Sequence, residues 1–273
     1  MKGLFELFFG KPKVEHKYVY NCKKQTDDNR DKYYTNILLL PLPDNIDLRL
    51  TAFMPYVLDQ GNLGSSVSDA SANAVEFCLK KERRIDFSPS RLLIYYYLFK
   101  NLTKDVTSQG EWSGCSIRNC LKEIQLQGVC NEKTWPYDIS KFHSRPTNKC
   151  IREARTHVKS FKYIAIPQNS NDIKQVLANG FPILCGVNVY ESFQSNKSIT
   201  TGNIPMPKIK KEELLGGHAI LLCGYDDNTQ LFTFQNSWGE NLGNKGFFTI
   251  PYEYIFNSQL SFDFWTVQYL SSH

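Results

Sequence analysis

Four residues in separate stretches of the two halves of the chain have types suited to acyl transfer: Gln60 and Ser66 in one short run, His218 and Asn236 much later. Such chemistry needs a nucleophile, an imidazole beside it to carry the proton, and an acceptor that fixes the imidazole's tautomer. Ser66 falls at the end of Gln60-Gly61-Asn62-Leu63-Gly64-Ser65-Ser66, a glycine-bearing loop that feeds into Val67-Ser68-Asp69-Ala70. Small or apolar residues follow at Ala70, Ala74, Val75, Cys78 and Leu79, the spacing of a helix with a buried face. Ser65 or Ser66 suits the N-cap, and Asp69 puts negative charge in the first turn. A side chain at that point feels the positive end of the helix dipole. The Gln60 amide could donate toward the same spot.

The histidine candidates are His16, His143, His157, His218 and His273. Among them His218 opens a strand directly after a glycine pair, Gly216-Gly217, so its ring can project into a cleft. Asn236-Ser237-Trp238-Gly239 closes another strand, and adjacent antiparallel strands would set Asn236 beside His218. The Asn236 carbonyl would accept the ring N–H, with Trp238 shielding that bond. Taken singly, a histidine in an apolar strand is ordinarily a core residue, Asn236 a turn residue and Gln60 a surface side chain. Their order and spacing make the chemical reading the stronger one.

The elements that must position these groups divide into two halves. After the Ser66 helix, Ser88-Pro89 reads as the cap and first position of a second helix through Leu92, Leu93, Tyr95, Tyr96 and Phe99. A third, with Ile117, Cys120, Leu121 and Ile124 on one face, stops at Gly128. Residues 147–179 read as a connection holding one helix around Ile173. From Phe181 the pattern turns to short β-branched and aromatic runs separated by Gly, Asp and Asn. They lie at Ile183–Val189, His218–Tyr225, Leu231–Asn236, Gly246–Ile250 and Phe262–Leu270. A helical half followed by a strand half predicts an α+β fold of two lobes with a cleft between them.

These motifs together resemble the papain-like cysteine proteases, and the branch found in bacterial and giant-virus sequences. The resemblance covers residues 42–270, beginning at Leu42-Pro43-Asp44-Asn45-Ile46-Asp47, like the start of a mature enzyme. It implies a helical lobe at about 60–145, an antiparallel, barrel-like lobe at about 150–270, and a peptide or protein substrate. It assigns Gln60 and the backbone N–H of residue 66 to the oxyanion hole, His218 to general base and acid, and Asn236 to orienting it. Three departures stand out. Leu63 replaces a disulfide cysteine, which leaves Cys115 without its family partner; Val67 replaces a tryptophan; and Ser66 occupies the nucleophilic cysteine's position. The family's substrate-binding glycine pair is Ser116-Ile117 here, while Gly216 and Gly217 suggest an open cleft wall and Gly186 room for a bulky apolar side chain. The loop from Glu191 to Leu215 could fold over the other side of the cleft.

A thiol titrates near 8.5 and is pulled lower by an imidazolium and a helix N-terminus, whereas an alcohol is far less acidic. The chain as it stands is therefore expected to have at most trace peptidase activity. An introduced Cys→Ser replacement accounts for this, as does a natural pseudoprotease that binds peptides without cutting them; a serine hydrolase using Ser66 is the third reading. Residues 1–41 form an N-terminal extension, either a propeptide lying along the cleft or a strand and arm packed on the body.

Composition narrows the remaining classes. With 273 residues, 41% hydrophobic and 22% charged, the chain is an ordinary globular one. A net charge of +5 with scattered lysines does not predict a nucleic-acid partner. No apolar run reaches the ~20 residues needed to span a bilayer. Met1–Gly10 is interrupted by Glu6 and too short for a signal peptide, so it reads as a packing segment or a membrane-surface anchor. Eight cysteines fall largely within apolar patterns, which predicts free thiols in a reducing compartment such as a cytoplasm or virion. Their spacing suggests no zinc site, and no metal or cofactor is expected.

Overall fold

The computed structural model describes residues 18–35, 41–83, 85–102, 114–156 and 161–269. His16, His157, His273, Met1–Gly10 and the tail of the last predicted strand at Leu270 lie outside them.

The helical half is organised around α1 (Ser66–Cys78), which is buried along its whole length. The sequence predicts one apolar face, but the helix is wedged between α2 (Arg91–Leu102), α3 (Ile117–Gln127) and the sheet, so its polar residues need internal partners. They have them. Asn73 donates to the Gln235 amide oxygen at 2.8 Å, Asp69 pairs with Arg91 at 2.9 Å, and Glu76 with Lys80 at 2.6 Å. Beyond Cys78 the helix widens into a π turn over Leu79–Arg83. Helix α2 starts two residues later than predicted. Pro89 is drawn into a bridge with Asn131, and Ser90 caps instead, its hydroxyl accepting from the Leu93 N–H at 3.2 Å. Helix α3 begins and ends as predicted, with Ser116 accepting from the Asn119 N–H and Gly128 at φ 73°.

The second half is a single antiparallel sheet. Its strands are β1 (Asn45–Asp47), β2 (Phe161–Ala165), β3 (Ile183–Tyr190), β4 (Leu214–Asp226), β5 (Leu231–Gln235), β6 (Phe247–Pro251) and β7 (Ser261–Tyr269). They run in the order β2-β7-β3-β4-β5-β6, with β1 paired to β4. The segment read as a connection with one helix holds two helices, α4 (Asn148–Thr156) and α5 (Ser170–Ala178), and β2 between them. Strand β2 is short and exposes Lys162, so its alternation is faint in sequence; tertiary pairing with β7 defines it. Helices α6 (Asn196–Thr201) and α7 (Tyr252–Phe256) complete the lobe.

Two apolar cores result. One gathers Val75, Leu93, Ile117 and Ile124 beneath the helices and reaches Leu184 and Trp265 of the sheet. The other holds Val187, Ile220, Phe232 and Phe234 on the sheet's opposite side. The N-terminal arm, residues 18–35, runs over the junction of the two halves. It then follows the outer edge of β2, where Tyr34 N–H donates to the Ala165 carbonyl at 2.7 Å. All eight cysteines are free and buried. Cys130 and Cys150, far apart in sequence, nevertheless place their sulfurs 3.0 Å apart.

Candidate active site

Strand β4 supplies the imidazole. His218 is fully buried, and its Nε2 lies 2.8 Å from Asn236 Oδ1, just past the end of neighbouring β5. That carbonyl oxygen also accepts from the Ser237 N–H at 2.8 Å, which fixes the amide's orientation and makes Nε2 the protonated ring nitrogen. Nδ1 has no hydrogen-bond partner. It therefore carries a free lone pair, the form a general base requires. Trp238 lies 5.4 Å from the ring, with Phe193 on a further side. Burial lowers the His218 pKa from 6.5 to about 4, partly offset by the Asn236 hydrogen bond.

Helix α1 supplies the hydroxyl. Ser66 is its first residue, and its Oγ accepts from the backbone N–H of Ala219, next to His218, at 3.3 Å. Ser66 thus meets the residue that follows His218 in the chain, across the lobe junction, while its hydroxyl makes no hydrogen bond to Nδ1. The first backbone N–H groups of a helix have no intrahelical acceptor, so those at Ser66 and its neighbours face the same place. Ser65 occupies the cap position without making the capping bond. Its hydroxyl donates to Asp69 at 2.6 Å, inside a cluster with Tyr137 and Arg91.

Gln60 is buried rather than superficial. Its Nε2 donates to the Leu63 carbonyl at 3.0 Å, its Oε1 accepts from Ser237 Oγ at 2.6 Å, and its backbone N–H reaches the Ser237 carbonyl. One Nε2 hydrogen engages Leu63, which leaves a second for an oxyanion. Ser237 is the positioning residue that sequence reasoning passed over, although it sits inside the Asn236–Gly239 motif. It holds Gln60 and Asn236 in one frame.

The other predicted binding residues separate. Gly216 and Gly217 line the groove. Ser116 is spent on capping α3 and Ile117 is buried in the core, so Cys115 carries the backbone pairing on that side. The room expected at Gly186 is already taken, because a Cβ there would lie 2.2 Å from the Phe262 ring. Among the described residues no His, Cys, Asp or Glu group could hold a metal ion, and no helix is long and apolar enough to cross a membrane.

The groove is filled by the arm. Tyr18 stacks on Trp238 with ring centroids 4.6 Å apart, and Tyr20 meets the His218 ring edge-on at 5.7 Å while its hydroxyl donates to Gln194. Cys22 N–H donates to the Gly217 carbonyl at 2.8 Å on one wall. On the other wall, Cys115 N–H donates to Asn21 and Lys23 N–H to Cys115, at 3.2 and 2.9 Å. No side chain would fit at the facing glycines. A Cβ would come within 2.0 Å of the Cys22 carbonyl at Gly217 and 1.9 Å of the Asn21 carbonyl at Gly114. Further on, Gln25 N–H donates to Asp263 at 2.6 Å, and burial raises that carboxyl's pKa to about 6.

A helix-borne nucleophile position, a strand-borne histidine oriented by asparagine, and a glutamine donor across a two-lobed cleft define a papain-type thiol-protease architecture. Residues 42–260 match the papain family cysteine protease model, and the chain belongs to that family. A peptidase C1-like protein of Acanthamoeba polyphaga mimivirus is 39% identical over 81% of this chain and 73% of its own length. Cathepsin K of Mus musculus is 26% identical over 80% of this chain and 63% of its own. Among solved structures, xylellain, a cysteine protease from Xylella fastidiosa, superimposes with a TM-score of 0.81 at 34% identity, covering 94% of this chain and 99% of that one. Digestive procathepsin L 3 of Tenebrio molitor shares the fold, with a TM-score of 0.70 at 22% identity over 92% and 77% of the two chains.

Proposed function

We propose that the chain is a papain-type endopeptidase scaffold held in a latent, zymogen-like form, with the nucleophile position occupied by Ser66 and the cleft by its own N-terminal arm. The observation that carries this reading is the His218–Asn236 pair at 2.8 Å with Nδ1 unpaired, beneath an arm bonded to both cleft walls. In the cysteine form, Nδ1 would take the thiol proton. The thiolate would then attack the peptide carbonyl, and the oxyanion would be met by Gln60 Nε2 and the N–H of residue 66. The imidazolium would return the proton to the leaving amine. Asn236 holds the ring through both transfers.

With Ser66 the first step fails. A serine hydroxyl cannot form a resting ion pair with the imidazole, and His218 buried under the arm is held neutral. An intact catalytic frame favours an introduced replacement over a natural peptide-binding pseudoprotease, and a serine hydrolase is the weakest reading. Residues 1–41 would then be a propeptide preceding a peptidase domain at 42–270, its substrate a peptide or protein. The buried free thiols support a reducing compartment. Ser66→Cys, assayed beside the unaltered protein on a generic peptide, should be at least ~10³-fold more active. Equal inertness would overturn the peptidase reading. Incubation of that variant should yield a new N-terminus near residue 42; full activity with Met1 intact would remove the propeptide assignment.

A further inference from the structure

Beyond the cleft, the arm and the body together border an open cavity of about 570 Å³ that the chemistry at Ser66 does not use. Its walls come from three segments. Thr26, Asp28, Arg30, Asp31 and Lys32 belong to the arm, Arg118, Asn119, Lys122 and Gln125 to α3, and Lys162 and Tyr163 to β2.

Charge decides what such a space would take. Five cationic side chains line it (Arg30, Lys32, Arg118, Lys122 and Lys162) against two carboxylates, Asp28 and Asp31, an excess of three positive charges. Both carboxylates are already engaged. Asp28 is held by Arg30 at 2.6 Å and Asp31 by Arg118 at 2.7 Å, and Arg118 also donates to the Thr26 carbonyl. Arg30 beside Asp28 holds its carboxyl far below the usual carboxylate range, so it stays ionised and paired. Lys32, Lys122 and Lys162 have no ion pair among the described residues. Three exposed lysines from three different segments therefore line one space, together with Asn119 and Tyr163.

We propose that this cavity binds a small polyvalent anion of the polyphosphate class, and that the anion stabilises the docked arm. The volume lies in the range of small-molecule sites, roughly 300–1,000 Å³. Lysine ammonium groups recognise phosphate oxygens as point charges without demanding a fixed plane. Because Lys32 lies on the arm and Lys122 and Lys162 on the body, a ligand touching all three binds the docked state in preference to the released one. By linkage it must then oppose arm release. The site deepens the latency reading and rests on it for its regulatory consequence, but the binding itself does not.

Inorganic tripolyphosphate is the probe, titrated calorimetrically into the full chain at constant ionic strength, with sodium chloride as the matched control. Saturable binding is expected, weakened at least ~10-fold by Lys122→Gln/Lys162→Gln and also weakened by Lys32→Gln. Tripolyphosphate should slow protease cleavage within residues 18–32 of the unaltered chain at least ~5-fold and leave the Lys32→Gln chain unprotected. Absence of saturable binding, or equal binding by the double variant, overturns the site. Binding without slower cleavage overturns the coupling. Neither result touches the latency reading, which fails separately if weakening the Tyr18 and Tyr20 contacts in the Ser66→Cys background leaves activity unchanged.

Discussion

The catalytic frame and the arm that covers it are held by different kinds of force. The frame consists of fully buried polar side chains, each tied to another: His218 to Asn236, Asn236 to Ser237, Ser237 to Gln60. Removing one partner leaves a buried group unsatisfied, which costs more than the bond itself contributes. The arm is held by a few backbone hydrogen bonds, two tyrosine rings and an ion pair between Asp31 and Arg118. Such contacts can be exchanged for water. The frame is thus the more persistent of the two, and on the proposed latency reading the arm is the part to be released.

That contrast sets a scale of expected effects. In the Ser66→Cys background, Gln60→Ala should lower kcat by about 10²–10³-fold through loss of an oxyanion donor. Steady-state kinetics would show it, and a change confined to KM would mean that Gln60 serves only the fold. Asp69→Ala leaves Arg91 without its buried partner and should destabilise the protein by about 3 kcal/mol in urea unfolding. A loss below 1 kcal/mol would show that the Asp69 cluster is solvated. Tyr18→Ala/Tyr20→Ala should loosen the arm and raise peptide turnover about 10-fold over Ser66→Cys alone, because each ring contact contributes roughly 1 kcal/mol. Unchanged turnover would break the distinction between frame and cover.

The smallest effect is on titration. With the arm docked, His218 has a pKa of about 4, below the ordinary 6.5 of an unfolded chain. The unfolded state therefore binds more protons between those values, and stability falls as pH drops from about 6.5 to 4. Loosening the arm re-solvates the ring. In the unaltered Ser66 protein carrying Tyr18→Ala/Tyr20→Ala, the His218 value read by NMR should rise toward 6.5. If it stays near 4, the arm is not what buries the ring.

How much of this was legible in the sequence depends on the kind of signal each feature leaves. Gln60, His218 and Asn236 stand in short motifs whose glycines and strand breaks mark their place, and their convergence follows once β4 and β5 are paired. The capping of α3 by Ser116 and its end at Gly128 obey local rules and could be read directly. The path of the arm could not. Residues 18–25 have no periodicity, and what receives them is an absence of side chains at Gly114, Gly216 and Gly217 from distant parts of the chain. The start of α2 failed for a similar reason, since Pro89 answers to Asn131 rather than to its own neighbours. The Phe262 ring over Gly186 and the Cys130–Cys150 contact are likewise products of packing between segments.

The close fit of Cys22 against Gly217 and of Asn21 against Gly114 has an evolutionary corollary. On the proposed latency reading, the walls that receive the chain's own arm are the ones a substrate peptide would use, and both occupants would demand bare backbone there. A substitution at either glycine would exclude the visitor together with the resident. On that reading, latency would be retuned by changes in residues 18–32, while changes at the two wall glycines would disable both.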